Sequence, residues 1–250
     1  MFVLPTFNLG VVGSPTAPAA FSNTYSVDLD GTNDYIDCGG DADFSFTDGA
    51  GNDSAFSISA WVKLDASTRG RIVSKGNVEW LFGTDGGSRF SLFLYGGATN
   101  INIARRESTA LSTGTWHHLV ATYDGSETVG GINLYRAGGT ITTTTASGGT
   151  YTGMSSQQGA LNIGRWQSNN SFYNGLVDEV AIFDYELSAS QVSDIYNSGT
   201  PADISSLSPL GWWRMGDNDS GTGTTITDQG SGGNNGTLTN GPTFSTTIPS

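Results

Sequence analysis

The chain has 250 residues, is rich in Gly, Ser, Thr and Asn, is poor in Lys and Glu, and carries a formal net charge of −13. This length allows one large β domain or two smaller ones, and the composition favours strands and turns over helices. The charge argues against nucleic acid as a partner, since that requires clustered Lys and Arg, and against an anionic membrane surface. Cys38 is the only cysteine, so no intrachain disulfide can form.

The N-terminal residues are apolar, but we do not expect them to form an ordinary secretion signal. Residues 1–21 lack a positively charged start, and Pro5 and Asn8 interrupt the apolar run. No run in the chain is long enough to span a bilayer. We expect residues 1–21 to form an N-terminal arm, which is either a disordered terminus or a peptide that docks on a partner.

Short alternating segments separated by turn residues predict an all-β, antiparallel, two-sheet sandwich. The clearest strand is Phe56–Leu64, in which apolar side chains occupy alternate positions. No βα alternation occurs, so a parallel α/β sheet is not expected. The other predicted strands are Tyr25–Leu29, Tyr35–Cys38, Arg71–Ser74, Trp80–Gly83, Phe90–Tyr95, Ile101–Ala104, Trp116–Tyr123, Ile132–Tyr135, Leu161–Gly164, Leu176–Phe183, Trp212–Met215 and Phe244–Ile248.

The stretch Asn174–Gly199 combines a strand with the only convincing helix of the sequence. Ser188 and Gln191 have the spacing of a capping box, and the final glycine of the stretch is placed to end the helix. We expect this helix to cover the end of the sandwich. Asp178 and Glu179 are neighbours within the strand, so alternation predicts that they point to opposite faces and cannot act as a catalytic pair.

Residues 200–250 follow the helix and are too short and polar to fold alone. Trp212, Trp213 and Met215 nevertheless need a core in which to be buried. We expect this C-terminal segment to complete the sandwich formed by residues 22–199. The alternative is that it begins a truncated second repeat.

Several segments, in their order and spacing, resemble the laminin-G-like, concanavalin A-like jelly-roll superfamily. The matching segments include YSVDLDGTNDYIDCG at 25–39, FSISAWVKL at 56–64, GTWHHLVATYDG at 114–125, LNIGR at 161–165 and the Asn174–Gly199 stretch. The resemblance covers residues 22–199 and implies a jelly-roll sandwich. Residues 212–244 resemble the stretch that usually precedes the first strand of such a domain. The resemblance therefore implies an order like that of a circular permutation, in which the tail supplies the missing first strands.

This superfamily includes lectins, glycan-binding modules, adhesion domains and some glycoside hydrolases, so the fold alone does not decide the function. The hydrolases commonly carry Glu-x-Asp-x-x-Glu on one strand, because their chemistry needs two carboxyl groups at one bond. None of the five glutamates of this chain lies in that pattern. Two histidines and one cysteine do not support a zinc cluster or a Cys/His nucleophile either. We therefore expect a protein without catalytic activity.

The resemblance also implies a structural calcium ion. Family members often hold one with an Asp of the late Asp-Glu-Val strand and with oxygens near the early Asp-Gly turn. The corresponding residues here are Asp178 and Asp30, with Asn33 as a further donor, and such oxygens suit calcium. The alternative is that Asp30 stabilises its own turn and Asp178 accepts hydrogen bonds from nearby amides.

The segment RWQSNNSFYNG, at 165–175, is the part of the chain most typical of a glycan site. Trp166 is expected to stack on a sugar ring, and the polar side chains around it are expected to bind hydroxyl groups. Trp80 and Tyr95 are further aromatic residues near Gly/Asn-rich segments. The alternative is that Trp166 covers the edge of the core and the asparagines serve the turn. The predicted ligand-binding residues are Arg165, Trp166, Gln167, Asn169, Asn170 and Tyr173.

Two functions fit these features. The first is a virion component, such as a phage decoration, fibre or tail-associated protein that also binds surface glycans. This sequence style resembles structural proteins of marine phages, and the N-terminal arm would dock on other virion proteins. The alternative is an extracellular carbohydrate-binding or adhesion module whose partner is a glycan or a surface polymer. Both functions imply a location in a virion or outside the cell, and both are compatible with an oligomer.

Overall fold

The computed structural model describes residues 21–40, 42–67, 69–156, 159–167 and 171–250. Short strands and turns alternate through this part of the chain, which also contains one α-helix, α1 (Ala189–Tyr196). In chain order, the strands are β1 (Ser26–Asp30), β2 (Tyr35–Asp37), β3 (Phe56–Leu64), β4 (Arg71–Lys75), β5 (Trp80–Thr84), β6 (Phe90–Ala98), β7 (Ile101–Glu107), β8 (Trp116–Tyr123), β9 (Ile132–Arg136), β10 (Gly139–Thr140), β11 (Thr143–Thr145), β12 (Leu161–Ile163), β13 (Arg165–Trp166), β14 (Ser171–Phe172), β15 (Asn174–Phe183), β16 (Gly211–Trp213), β17 (Thr225–Ile226), β18 (Gly236–Thr239) and β19 (Thr243–Ser245).

Most of these strands form two antiparallel sheets. The first sheet has eight strands in the order β10-β9-β8-β3-β15-β1-β19, and β16 pairs with β15 beside this path. The second sheet has nine strands in the order β11-β7-β6-β5-β4-β12-β2-β18-β17. Strands β13 and β14 form a separate hairpin. The predicted antiparallel two-sheet sandwich is therefore confirmed.

The main core lies between the two sheets because apolar residues alternate along the strands that face each other. Phe56 and Ile58 of β3 belong to the same fully buried cluster as Phe82 of β5. Burying a side chain of this size contributes roughly 1.5–3 kcal/mol. Trp80 is also fully buried there and donates its Nε1 hydrogen to the backbone oxygen of Phe44 at 2.9 Å. Trp80 is thus a core residue and cannot stack on a ligand.

The C-terminal segment adds strands to both sheets. β16 pairs with β15 and β19 with β1 in the first sheet, while β17 and β18 extend the second. Trp213 and Met215 are fully buried in the main core, and Trp212 lies in a second buried cluster on the outer face of the first sheet. Residues 200–250 are thereby built into the same sandwich as the residues before them.

Helix α1 begins with the capping box expected from the sequence. The Ser188 hydroxyl accepts the Gln191 amide hydrogen, and the Gln191 side chain accepts the Ser188 amide hydrogen. The helix ends at Asn197, whose φ of 45° is left-handed, and not at the predicted glycine. Val192 and Ile195 pack on the outer face of the first sheet, so the helix covers a sheet face and not the end of the sandwich. In the described part of the chain, no helix is long and apolar enough to cross a membrane.

A bulge in β15 changes the direction of its two acids. The pairing with β3 shifts register between Asp178 and Ala181, and Glu179 adopts a left-handed φ of 45°. The extra residue interrupts the strict alternation of the strand. Val177 and Val180 both face the main core, which leaves the two acids between them on the outer side. The prediction that Asp178 and Glu179 point to opposite faces is therefore wrong.

Candidate functional site

A hollow of about 440 Å³ lies on the outer face of the second sheet. Leu92 and Leu94 of β6 face the main core, so the alternate residues Phe93 and Tyr95 point outward. Aromatic and polar groups meet in this hollow, which is a combination typical of small-ligand sites. The residues that line it are Arg69, Arg71, Asp85, Phe93, Tyr95, Thr99 and Trp166.

Three aromatic rings form a stack in the hollow. The centroids of Phe93 and Tyr95 lie 5.8 Å apart with an interplanar angle of 11°, and those of Tyr95 and Trp166 lie 5.8 Å apart with an angle of 13°. Tyr95 and Trp166 are buried, whereas Phe93 is half-buried. The ring of Phe93 is therefore the accessible end of the stack.

The β13–β14 hairpin positions Trp166. Ser74 of β4 donates its hydroxyl hydrogen to the backbone oxygen of Arg165 at 2.6 Å, which holds the hairpin against the second sheet. The indole Nε1 of Trp166 donates to the backbone oxygen of Asn77 at 2.9 Å. Both contacts are made to backbone atoms, so the orientation of the ring is fixed before any ligand arrives.

Two arginines flank a fixed piece of backbone at the edge of the hollow. The amide of Gly70 donates to the hydroxyl of Thr84 at 2.8 Å, and the amide of Thr84 donates to the oxygen of Gly70 at 2.7 Å. Arg69 is exposed, whereas Arg71 is buried with its guanidinium 4.6 Å from the centre of the Trp166 ring. Burial lowers the pKa of Arg71 to about 10, so this side chain remains protonated at neutral pH.

The carboxylate of Asp85 is held by two further arginines. Arg89 Nη2 and Arg106 Nη1 each lie 2.7 Å from Asp85 Oδ2. Burial opposes ionisation of this group, but the hydrogen bonds from Arg89 and Arg106 hold the pKa of Asp85 well below its usual range. Asp85 is therefore ionised and fixed in orientation, and its two oxygens already accept hydrogen bonds from Gly87, Arg89 and Arg106.

Of the predicted ligand-binding residues, Trp166 lines the hollow. Arg165 does not line the hollow, and its guanidinium lies 4.5 Å from the centre of the Tyr35 ring. Gln167 is half-buried beside Trp166. Asn169 and Asn170 lie outside the described residues.

The prediction for Tyr173 is corrected by its burial. Its side chain is 1 % exposed, belongs to the main core, and donates its hydroxyl hydrogen to the backbone oxygen of Leu176 at 3.3 Å. A Cβ at Gly70 would lie only 2.8 Å from the Tyr173 ring, which shows how tightly this ring is enclosed. A ligand on the surface cannot touch it.

Sequence reasoning missed most of the hollow. The alternation of Phe93 and Tyr95 with core leucines could have shown that two aromatic residues share the outer face of β6. No local pattern points to Arg71, because its position in the site depends on the pairing of β4 with β5, where it lies opposite Gly83. A Cβ at Gly83 would clash with the backbone oxygen of Gly70, so this close approach requires glycine.

The predicted calcium ligands are not brought together. The carboxylate of Asp30 accepts backbone hydrogen bonds from its own turn, including that of Asn33, and Asp178 accepts a hydrogen bond from the side chain of Asn23 at 2.8 Å. Asp30 pairs with Asn174, which lies four residues from Asp178 and hence about 13 Å away along the strand. These three residues do not fit a single cation, and no group of three or more metal-binding side chains occurs among the described residues.

A second hollow, of about 370 Å³, lies on the outer face of the first sheet and includes Trp61, Trp116, His118 and Tyr196. His118 is 1 % exposed, its Nε2 lies 3.0 Å from the Ser59 hydroxyl, and burial lowers its pKa to about 3. Its ring packs against Trp61 and Tyr196, at 4.9 and 5.8 Å between centroids. The rings of Trp61, His118 and Tyr196 contact one another and leave little aromatic surface for a ligand. This hollow is therefore the weaker candidate for a ligand-binding site.

Asp178 and Glu179 form a buried acidic cluster with the C-terminal segment. Glu179 Oε2 accepts a hydrogen bond from Trp212 Nε1 at 2.6 Å, and its Oε1 accepts one from Arg214 Nε at 3.0 Å. Burial, together with the charge of Glu179, raises the pKa of Asp178 well above its usual range. Asp178 is completely buried. The pair is therefore a structural contact that a substrate cannot reach.

Comparison with known proteins identifies the fold. The model of the concanavalin A-like lectin/glucanases superfamily matches residues 30–193. A solved structure from Bacteroides ovatus ATCC 8483, provisionally described as a carbohydrate-binding protein, has 20% sequence identity and a TM-score of 0.64, and the match covers 92% of this chain and 62% of that chain. The present chain thus spans less than two thirds of that protein.

Two further structures are more distant. One is the CBM40 of Ruminococcus gnavus IT-sialidase bound to α2,3-sialyllactose, with 12% identity, a TM-score of 0.49, and coverage of 68% of this chain and 96% of that chain. The other is the SAP-like pentraxin of Limulus polyphemus, with 15% identity, a TM-score of 0.47, and coverage of 71% and 84%. None of the curated proteins matches the chain in sequence. At these identities, the similarity concerns the fold.

Proposed function

The chain belongs to the concanavalin A-like lectin/glucanases superfamily, and we propose that it acts as a non-catalytic carbohydrate-binding module. The glycan binds in the hollow on the outer face of the second sheet. The observation that supports this most directly is the stack of Phe93, Tyr95 and Trp166, whose accessible end lies among charged and hydroxyl side chains.

The residues of the hollow match the two kinds of surface that a sugar presents. The ring of Phe93 offers an apolar face for the C–H groups of a pyranose. The N–H groups of Arg69 and Arg71 can donate hydrogen bonds to hydroxyl oxygens, and Thr99 can donate or accept them. Because its contacts to backbone atoms fix Trp166, little ordering of the aromatic stack is required when the glycan binds.

The charges in the hollow support binding without catalysis. Glycoside hydrolysis generally uses two carboxyl groups, one of which must hold a proton. Asp85 is the only carboxylate among the described residues that line the hollow, and its depressed pKa keeps it ionised. A group of this kind does not act as a general acid at neutral pH.

Of the two functions considered from the sequence, the comparisons favour the carbohydrate-binding module over the virion component. The Bacteroides ovatus protein, provisionally described as carbohydrate-binding, supports this choice. A virion or extracellular location, oligomer formation and docking of the N-terminal arm on virion proteins remain predictions. Residues 1–20 of that arm lie outside the described residues.

The proposal is tested with a glycan array followed by calorimetry of Phe93→Ala. Removing the accessible ring is expected to weaken binding by roughly 5- to 20-fold, which corresponds to about 1–2 kcal/mol. Phe93 is half-buried on the surface, so the variant should keep its fold. Trp116→Ala is the matched control, because Trp116 is a half-buried ring that lines the second hollow.

We expect Trp116→Ala to bind with the affinity of the unmodified protein. If Trp116→Ala loses binding while Phe93→Ala retains it, the site lies in the second hollow and our assignment is wrong. If no glycan binds the unmodified protein, the proposed function itself fails.

A further inference from the structure

Arg71 is a buried cation without an anionic partner among the described residues. Its side chain lies over Trp166, and the residue is only 4 % exposed. Its Nε is buried and has no hydrogen-bond acceptor within the part of the chain that the structure describes. By contrast, Arg89, Arg106 and Arg214 all form ion pairs with carboxylates.

An unpaired buried guanidinium is costly for a folded protein. A charged group that leaves water loses hydration, and this loss is offset only when an opposite charge and hydrogen bonds replace it. The contact with the face of Trp166 offsets part of the cost but satisfies none of the five N–H donors of the arginine. Arg71 borders the hollow, so a ligand bound there can supply the missing acceptor atoms.

The charges around the hollow also favour an anionic ligand. Arg69, Arg71, Arg89 and Arg106 gather here, which is four of the ten Lys and Arg residues in a chain of net charge −13. Asp85 is the only acid among the described lining residues, and Arg89 and Arg106 already neutralise it. Arg69 and Arg71 are thus left to attract an anion.

We infer that the hollow binds a sugar residue that carries an acidic group, a carboxylate or a sulfate, with Arg71 as its main partner and Arg69 at the rim. This inference rests on the proposed function and specifies the class of glycan. The planar fork of a guanidinium matches two oxygens of either group. The sugar ring lies against Phe93, and the acidic group points toward Arg71.

The experiment compares acidic glycans with neutral counterparts of the same backbone. The probes are oligogalacturonate with its carboxyl-reduced form, 3′-sialyllactose with lactose, and sulfated carrageenan oligosaccharides with their desulfated forms. We expect at least one acidic probe to bind 10-fold or more tightly than its neutral counterpart, and we expect added NaCl to narrow this difference. The carboxylate and sulfate arms show which acidic group is recognised.

The variants assign the preference to the two arginines. Arg71→Gln should remove most of the difference in affinity between acidic and neutral probes, and Arg69→Ala should reduce this difference. Since Arg69 is exposed, its variant remains informative if Arg71→Gln does not fold. Lys63→Gln is the control, because it removes one positive charge from the first sheet and should leave the difference unchanged.

The outcomes separate this inference from the proposed function. If neutral glycans bind as well as acidic ones, or if both arginine variants retain the acidic preference, the inference is wrong while the carbohydrate-binding function stands. If none of the array glycans binds, the proposed function fails and the inference fails with it.

Discussion

The left-handed backbone of Glu179 places two acidic side chains in one buried cluster. A non-glycine residue in this conformation costs roughly 1 kcal/mol or more and persists only where the surrounding structure enforces it. Here the enforcing contacts are those of Glu179 with Trp212 and Arg214. Asp178 forms no ion pair with a cation among the described residues and is completely buried, so it is the member of the pair that favours the protonated form.

This pair predicts that part of the stability is lost as the pH rises. Burial raises the pKa of Glu179 to about 7, although Arg214 opposes the shift, and burial also raises the pKa of Asp178. Because both values are raised on folding, the folded state retains protons that the unfolded chain has already released. The contribution of the pair is fully present below the ordinary carboxyl pKa and falls as the pH rises toward about 7 and beyond.

Asp178→Asn should reduce this pH dependence. The new amide can donate to Asn23 Oδ1, which is buried and has no hydrogen-bond partner among the described residues, and it removes the repulsion between the two acids. We expect the variant to gain roughly 1–3 kcal/mol relative to the unmodified protein between pH 5 and pH 8. Urea denaturation at a series of pH values measures the free energy of unfolding of each protein. Asp194→Asn, on the exposed side of α1, is the control. If the free energy of unfolding changes equally with pH in the unmodified protein and in both variants, the buried pair does not cause the pH dependence.

At the scale of elements, the C-terminal strands depend on the rest of the sandwich. Trp213 of β16 is fully buried in the main core, packs against Phe44 with 5.8 Å between ring centroids, and donates its indole hydrogen to the oxygen of Asn234 at 2.9 Å. Trp213 pairs with Val180 of β15. Trp213 therefore links the C-terminal segment to the centre of the first sheet.

Trp213→Ala should destabilise the whole sandwich and not the tail alone. Removing a buried tryptophan leaves a cavity and costs roughly 3–5 kcal/mol. Unfolding followed by far-UV circular dichroism and by fluorescence should still show one coincident transition, shifted to lower denaturant. Two separate transitions, with only the minor one shifted, would favour the alternative of a truncated second repeat.

The sequence predicted best the strands whose bounds follow from the alternation of apolar residues within the strand itself. β3 and β8 were predicted with the observed bounds, because alternation of apolar residues depends only on the strand itself. The bulge at Glu179 was not visible, since it is enforced by side chains more than 30 residues later in the chain. The sequence pointed to the hollow only at Tyr95 and Trp166, because the pairing of β4 with β5 and the docking of the β13–β14 hairpin bring its other residues together.

At the scale of the whole molecule, the charges are unevenly distributed. The net charge is −13, yet the hollow on the second sheet is bordered by arginines. Carboxylates gather elsewhere, as in a hollow bordered by Asp28, Asp30, Asp34 and Asp65. There, burial raises the pKa of Asp28, and the charges of Asp65 and Asp30 add to the shift. Such self-repulsion destabilises a compact state and is weakened by salt.

This distribution predicts that the melting temperature rises with salt and that calcium has no effect beyond its ionic strength. NaCl screens the repulsion between carboxylates, so raising it from about 20 to about 200 mM should increase Tm. Because Asp30, Asn33 and Asp178 do not converge, CaCl₂ should act no more strongly than NaCl at matched ionic strength. Asp30→Asn should lower Tm equally in calcium and in EDTA, since its carboxylate stabilises a turn. A calcium-specific rise in Tm that Asp30→Asn abolishes would instead establish the predicted calcium site and show that its ligands assemble only around the ion.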